Sequence, residues 1–291
     1  MRAKLFPGIV SLCLLSLTSC AQDGSDTSYV RPNDTMEFVV SWKRIGDGVD
    51  FCETDAPLKS IIGDSKLTML RIDANKVDFE LFTATNRDKK PHPVNEWADS
   101  LRLNIVFNAG MYDLSKPLVS RGLLKNGKHF NQAALHPTFN TMLALNPVDT
   151  AKADCALFDL ELQPYASFKD KYHCLAQGLR MLDGNGNPMN WKKRVQSCSM
   201  LLMAEDKDHN LYLIFTRSPY VHNQMIAFLK QFPVPLKNAI YLEGGPETSL
   251  YVSIGDFKLA KVGSYVSQTY EKDTNKHFWP LPNVIGVKVR D

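Results

Sequence analysis

The chain has 291 residues, 44% of them hydrophobic and 22% charged, with a net charge of +3. This is a globular composition, long enough for a sizeable core and consistent with one or two domains. The near-neutral balance leaves no electrostatic footprint for nucleic acid, and 16 glycines with 16 prolines exclude collagen-like or low-complexity character.

Arg2 and Lys4 open the chain with positive charge, and an apolar run follows from Leu5 to Leu17. The run falls short of the ~20 apolar residues that a membrane-spanning helix needs and has the layout of a secretory signal. It ends in Leu17-Thr18-Ser19-Cys20, which resembles the bacterial lipoprotein lipobox. The resemblance implies that residues 1–19 are removed as a signal peptide. Cys20 is then acylated, and its lipid holds the protein in a membrane of the bacterial cell envelope, facing the periplasm or the cell surface. Residues 20–34 are polar and turn-rich and read as a flexible tether. Residues 35–291 read as one domain.

Cys52, Cys155, Cys174 and Cys198 remain. Outside the cytosol they are expected to form disulfides; three connectivities are open, and Cys155–Cys174 would close the shortest loop. No C-x-x-C, H-E-x-x-H or EF-hand pattern is present, so no motif calls for a metal or another cofactor.

Strand-like alternation dominates the rest. Met36 to Trp42, Leu67 to Ile72 and Val77 to Thr83 are β-branched and aromatic with turn residues between. Val94 to Leu101 follows Pro93 and predicts a short helix. Leu103 to Phe107, Thr141 to Leu145, Cys155 to Leu162, Ser199 to Met203 and Leu211 to Thr216 read as further strands. Asn126-Gly127 marks a hairpin. Tyr220 to Phe232 predicts a helix: Val221, Met225, Phe228 and Phe232 share a face, and Pro219 suits its start. Strand Ala239 to Leu242 follows. Many strands, few helices and no regular βαβ alternation predict an α+β fold with mixed sheets and a few flanking helices.

Five segments carry candidate chemistry. Phe107-Asn108-Ala109-Gly110-Met111-Tyr112-Asp113 is an apolar strand that exits into polar groups at a sheet rim. Ser120-Arg121-Gly122 offers a planar guanidinium fork for phosphate or carboxylate. Gln177-Gly178 precedes a turn, and the Gln177 amide has donors for a ligand oxygen. Lys192-Lys193-Arg194 is either a wet basic surface or a site that neutralises phosphate. Leu242-Glu243-Gly244-Gly245-Pro246-Glu247-Thr248-Ser249 runs a buried-looking strand into a carboxylate, two glycines and hydroxyl residues. Its glycines let the backbone approach an anion, and Glu243 is placed for general acid or base work. His136, alone near a turn, reads as structural.

Taken in order, Asn108 to Tyr112, Arg121-Gly122, Gln177-Gly178, Arg194 to Ser197 and Leu242 to Pro246 resemble the phosphodiester glycosidase family, over roughly residues 65 to 289. Better characterised members carry Asp in a D-G-G-G-S-S-type motif. This chain has Glu243 in place of that Asp, and Pro246-Glu247 in place of Gly-Ser. The resemblance implies a hydrolase that cleaves a sugar 1-phosphodiester. Arg121 and Arg194 would hold the phosphate, and Glu243 and Asp113 would serve as the catalytic carboxylates. Asn108, Gly110, Gln177, Gly178, Gly244, Gly245, Thr248 and Ser249 would bind substrate. The alternative is a non-catalytic lipoprotein that binds an envelope glycan or phosphopolymer in the same pocket. The oligomeric state stays open.

Overall fold

The computed structural model describes residues 38–113, 115–191 and 195–290. Numbered in chain order, these hold eighteen strands and two α-helices. The large sheet begins, in spatial order, with β1 (Lys43–Gly46), β2 (Val49–Asp55), β3 (Lys66–Asp73), β14 (Asn210–Val221) and β13 (Ser197–Asp206). It continues with β15 (Leu236–Gly244), β12 (Tyr172–Leu182), β10 (Thr141–Pro147) and β11 (Cys155–Asp159). The hairpin of β8 (Leu124–Asn126) and β9 (His129–Gln132) joins this sheet through β12. The second sheet runs β17 (Phe257–Val262), β16 (Ser249–Ile254), β5 (Ile105–Asn108), β18 (Asn283–Val289) and β4 (Val77–Thr83). A separate hairpin pairs β6 (Tyr112–Asp113) with β7 (Lys116–Ser120).

The main core lies between the two sheets. Leu70, Ile72, Leu143, Leu201, Met203, Phe215, Ile240 and Leu242 of the large sheet meet Phe79, Leu81, Ile105, Phe107, Leu250 and Val287 of the second. Strand β4 shows why its sequence chooses this place: Val77, Phe79 and Leu81 alternate inward while Asp78 and Glu80 stay out. Each large apolar side chain buried this way contributes about 1.5–3 kcal/mol of transfer free energy. Strands β13 and β14 are buried on both faces, because the large sheet is also covered outside. There α2 (His222–Lys230) packs Met225, Phe228 and Leu229 against Leu202, Tyr212 and Tyr241. Helix α1 (Val94–Leu101) does the same for the second sheet with Val94, Trp97 and Ala98.

The α+β expectation is therefore corrected. Every pairing between the named strands is antiparallel, and the two short helices are patches on outer faces rather than a layer. The protein is an antiparallel sandwich, all-β in character. Two local expectations change as well. Residues 38–42 form no strand; they run over the outer face as a strap, with Phe38 against Phe232 and Trp42 against Tyr212 at ring-centroid distances of 5.6 and 6.0 Å. Pro219 lies within β14, beside the irregularity between Cys198 and Met200 of β13, where a missing N–H is tolerated. Helix α2 starts only at His222. The signal peptide, Cys20 and the tether lie outside the described residues.

The disulfide expectation is also corrected, since Cys52, Cys155, Cys174 and Cys198 are buried and none is bridged to another. The register explains it. Cys155 and Cys174 both sit opposite Leu145, on the two sides of β10. Two strand spacings separate them by about 9–10 Å, beyond the ~7 Å limit for a bridged pair of Cα atoms. Cys52 on β2 and Cys198 on β13 are kept apart by β3 and β14. Accordingly, a reducing agent leaves the melting temperature unchanged, and these four cysteines react with an alkylating reagent only after unfolding. A fall in melting temperature on reduction would show a bridge that this register forbids.

Candidate active site

Two segments bring the site to one end of the sandwich. In the large sheet, β15 ends at Glu243-Gly244, and the chain crosses through a single turn, Gly245–Glu247, into β16 of the second sheet. In the second sheet, β5 ends at Asn108 and leads into the β6–β7 hairpin. A bulge on β15 precedes the crossing: Leu201 and Leu202 face Glu243 and Tyr241, leaving Leu242 as the extra residue. Such bulges re-aim side chains next to functional sites. The crossing needs its glycines. A Cβ on Gly244 would lie 2.0 Å from the Tyr241 hydroxyl, and Gly245 has φ of +80°.

Asn108 ties the two segments together. It is buried; its Nδ2 donates to the Glu247 carbonyl at 3.0 Å, and its Oδ1 accepts from the Ser249 N–H at 2.8 Å. Gln177 does a comparable job one layer away. Its Oε1 accepts from the N–H groups of Leu123 (3.0 Å) and His136 (2.8 Å), and its Nε2 donates to the carbonyls of His136 (3.0 Å) and Phe139 (2.6 Å). Both side chains were expected to touch substrate; both are instead committed to main chain.

The other expected binding residues divide in the same way. Gly178 packs closely on Ile240 and Tyr241. The Gly244 N–H is taken by Glu243 Oε1 at 3.0 Å, so it does not serve the expected anion nest. Ser249 donates its hydroxyl to the Glu247 carbonyl, and Thr248 is fully buried. Gly110 takes φ of +145° where the chain turns from β5 towards the hairpin. Lys192, Lys193 and Arg194 lie outside the described residues.

A cavity of about 380 Å³ opens beside the hairpin, lined by Tyr112, Asp113, Ser120, Arg121, Gln132 and His136. The hairpin is braced rather than loose: Asn131 accepts from the Ser120 N–H at 2.7 Å and donates to the Leu118 carbonyl and the Thr85 hydroxyl. Glu243 is 8% exposed and stands outside the lining, but its carboxyl group feels both Tyr112 and Arg121 of the wall.

The site's two catalytic candidates carry opposite electrostatic shifts. Burial pushes the Glu243 carboxyl well above the usual carboxylate range, and the neighbouring Glu247 pushes it further; the Gly244 N–H and the Arg121 charge oppose this only in part. Burial raises Glu247 as well. It also raises Tyr112, to which the negative charges of Glu247 and Glu243 add. Asp113 is held low, first by the Ser115 hydroxyl at 2.7 Å, then by the Ser115 N–H at 2.9 Å, with Lys116 and Arg121 helping. The two carboxyls are thus shifted in opposite directions, and the Arg121 charge acts on both. Tyr112, Glu247 and His136 join the site without having been singled out for it. Tyr112 and Glu247 lay inside motifs, whereas nothing in the sequence around His136 signals a cavity wall. Among the described residues no cluster of three His, Cys, Asp or Glu side chains suits a metal ion.

No protein-family model matches the sequence, and no curated protein matches it. Solved structures do. The catalytic domain of zebrafish N-acetylglucosamine-1-phosphodiester alpha-N-acetylglucosaminidase, auto-inhibited by its pro-peptide, aligns with a TM-score of 0.56 at 12% identity, over 86% of this chain and 88% of that one. A hypothetical protein from Synechocystis aligns with a TM-score of 0.54 at 12% identity, over 87% of this chain. This chain spans 64% of the length of the Synechocystis protein. At this identity the likeness is one of fold, and the sandwich is shared with a glycosidase catalytic domain.

Two predictions follow from the geometry. Asn108→Ala strips partners from two main-chain groups of the crossing, at about 1–3 kcal/mol for each orphaned group, readable as a lowered urea midpoint. Glu243→Gln acts through pH. The Glu243 pKa is raised in the folded state, so its cost is absent below the ordinary Glu value and grows as pH rises towards the folded pKa. The variant therefore melts higher than the parent near pH ~8 and at the parent's temperature near pH ~4. A pH-independent difference would contradict a protonated Glu243.

Proposed function

We propose that the protein is a hydrolase of the phosphodiester glycosidase type that cleaves a sugar 1-phosphodiester in the bacterial envelope, where the lipid on Cys20 holds it. The observation that carries this reading is the pair of oppositely shifted carboxyl groups, Glu243 and Asp113, sharing the charge of Arg121. The fold shared with a glycosidase catalytic domain supports it, as does the meeting of the Asn108–Tyr112 and Leu242–Pro246 segments at one end of the sandwich.

In this reading Arg121 holds the phosphodiester anion through its planar fork. Asp113, ionised, accepts a proton from the attacking water. The water oxygen bonds to the anomeric carbon, and the bond from that carbon to the bridging phosphate oxygen breaks. The phosphate leaves with the bonding pair, and Glu243 gives its proton to the departing oxygen. Arg121 meanwhile stabilises charge that grows on the phosphate.

One observation favours a second reading. Glu243 stands outside the cavity lining, as it would in a lipoprotein that binds an envelope glycan or phosphopolymer without cutting it. Assaying N-acetylglucosamine 1-phosphodiesters with the parent and with Glu243→Gln separates the two. The hydrolase reading expects turnover by the parent and a loss of about 10²–10⁴-fold in the variant. Equal binding of such esters by both proteins in calorimetry, with no turnover by either, would establish the binding lipoprotein instead.

A further inference from the structure

Glu243 supplies the proton in the hydrolase reading, yet it stands outside the cavity lining. Its proton needs a carrier on the wall. Arg121 and Tyr112 are the wall residues that share an electrostatic interaction with Glu243. A guanidinium keeps its protons at any working pH and accepts none. A phenol hydroxyl both donates and accepts, so it can release one proton and take up another.

Tyr112 is held for such a part. Its ring packs against the apolar cluster beneath α1, which includes Trp97, Val106 and Val284. Its main chain is tied into the β6–β7 hairpin, where Tyr112 pairs with Ser120 and the Met111 carbonyl accepts from the Arg121 N–H at 2.9 Å. Asn108, four residues earlier, holds the Glu247 carbonyl at 3.0 Å, so the hairpin and the crossing turn are fixed to each other. The half-buried side chain lines the cavity, and the charges of Glu247 and Glu243 act on its hydroxyl. Burial first, and those charges next, keep that hydroxyl neutral at physiological pH.

We propose that Tyr112 is a catalytic residue of the same site, whose hydroxyl carries the proton of Glu243 to the oxygen that leaves the anomeric carbon. The proposal deepens the hydrolase reading and rests on it. As the bond from the anomeric carbon to the bridging oxygen breaks, the Tyr112 hydroxyl proton passes to that oxygen. The Glu243 proton passes to the Tyr112 oxygen in the same event. Asp113 takes the proton of the attacking water, whose oxygen bonds to the carbon. Solvent then removes that proton from Asp113 and returns one to Glu243. Tyr112 ends as it began, and no charge is left on its oxygen.

Tyr112→Phe in the full chain tests this, because it keeps the ring and removes only the hydroxyl. On N-acetylglucosamine 1-phosphodiesters, kcat is expected to fall about 10²-fold with KM within about threefold, while the melting temperature stays at the parent's. The pH profile separates a carrier from a structural residue. Glu243 must be protonated to act and its pKa is raised, so the parent's kcat declines as pH rises through that pKa. The decline is expected to vanish in Tyr112→Phe, as it does in Glu243→Gln. The double variant should be no slower than the slower single one, since both changes remove one proton path. A lowered kcat with the decline intact would make Tyr112 structural and overturn the proposal. A Tyr112→Phe kcat equal to the parent's would overturn it too, and either result leaves the hydrolase reading standing. Absence of turnover by the parent would sink both.

Discussion

The site depends on one crossing. The chain must pass from the end of β15 in one sheet to β16 in the other within a single turn, Gly245–Glu247. A turn that tight leaves main-chain donors and acceptors that the ladders cannot satisfy. Asn108 supplies the missing partners, since an amide carries a donor and an acceptor on one plane, and it reaches them from the neighbouring strand β5. The two motifs are thus parts of a single hydrogen-bonded object. What looks in the sequence like a ligand-binding asparagine is the bracket that allows a carboxylate-bearing strand end to exist there.

The bracket has an electrostatic consequence. Fixing the turn fixes the half-buried Glu247 near the buried Glu243, where its charge acts on the Glu243 carboxyl. Glu243 is buried and Glu247 half-buried, and the charge of Glu247 pushes both the Glu243 carboxyl and the Tyr112 hydroxyl towards their neutral forms. The upward shift of Glu243 comes from burial and a neighbouring charge that belong to the fold. Asp113 differs because it sits on the hairpin, where Ser115 satisfies it and solvent reaches it. A buried carboxyl behind the cavity wall and another on it are thereby shifted in opposite directions.

Much of this was legible in the sequence, for particular reasons. β4 and α1 carry clean periodicity and flanking breakers, and both formed where expected. The Asn126-Gly127 hairpin formed because Gly127 takes φ of +58°. The two motifs stood out in the sequence because each runs an apolar strand into polar groups and glycines. Other features were hidden in long-range order. The helices could not be weighed as patches or as a layer without knowing that β13 and β14 are covered on both faces. The distance between Cys155 and Cys174 depends on β10 lying between their strands, which no loop length reveals. Asn108 and Gln177 were recognised as important polar residues, but whether an amide faces a ligand or a backbone is decided by pairings more than 35 residues away.

That last distinction bears on how specificity is built into such a sandwich. A side chain that touches a ligand contributes only while the ligand is bound, whereas one that holds two loops at a set distance acts before binding. Gln177 links the strand end of Arg121 to the turn of His136 through the N–H groups of Leu123 and His136. The entropy of ordering those loops is thus met during folding, by a core already packed on both faces of the large sheet. The cavity itself needs few apolar contacts under these conditions. Its wall carries Arg121, His136, Asp113, Gln132, Ser120 and Tyr112, groups that a free chain would leave hydrated and mobile. Their value to a ligand comes from being held by residues that never meet it.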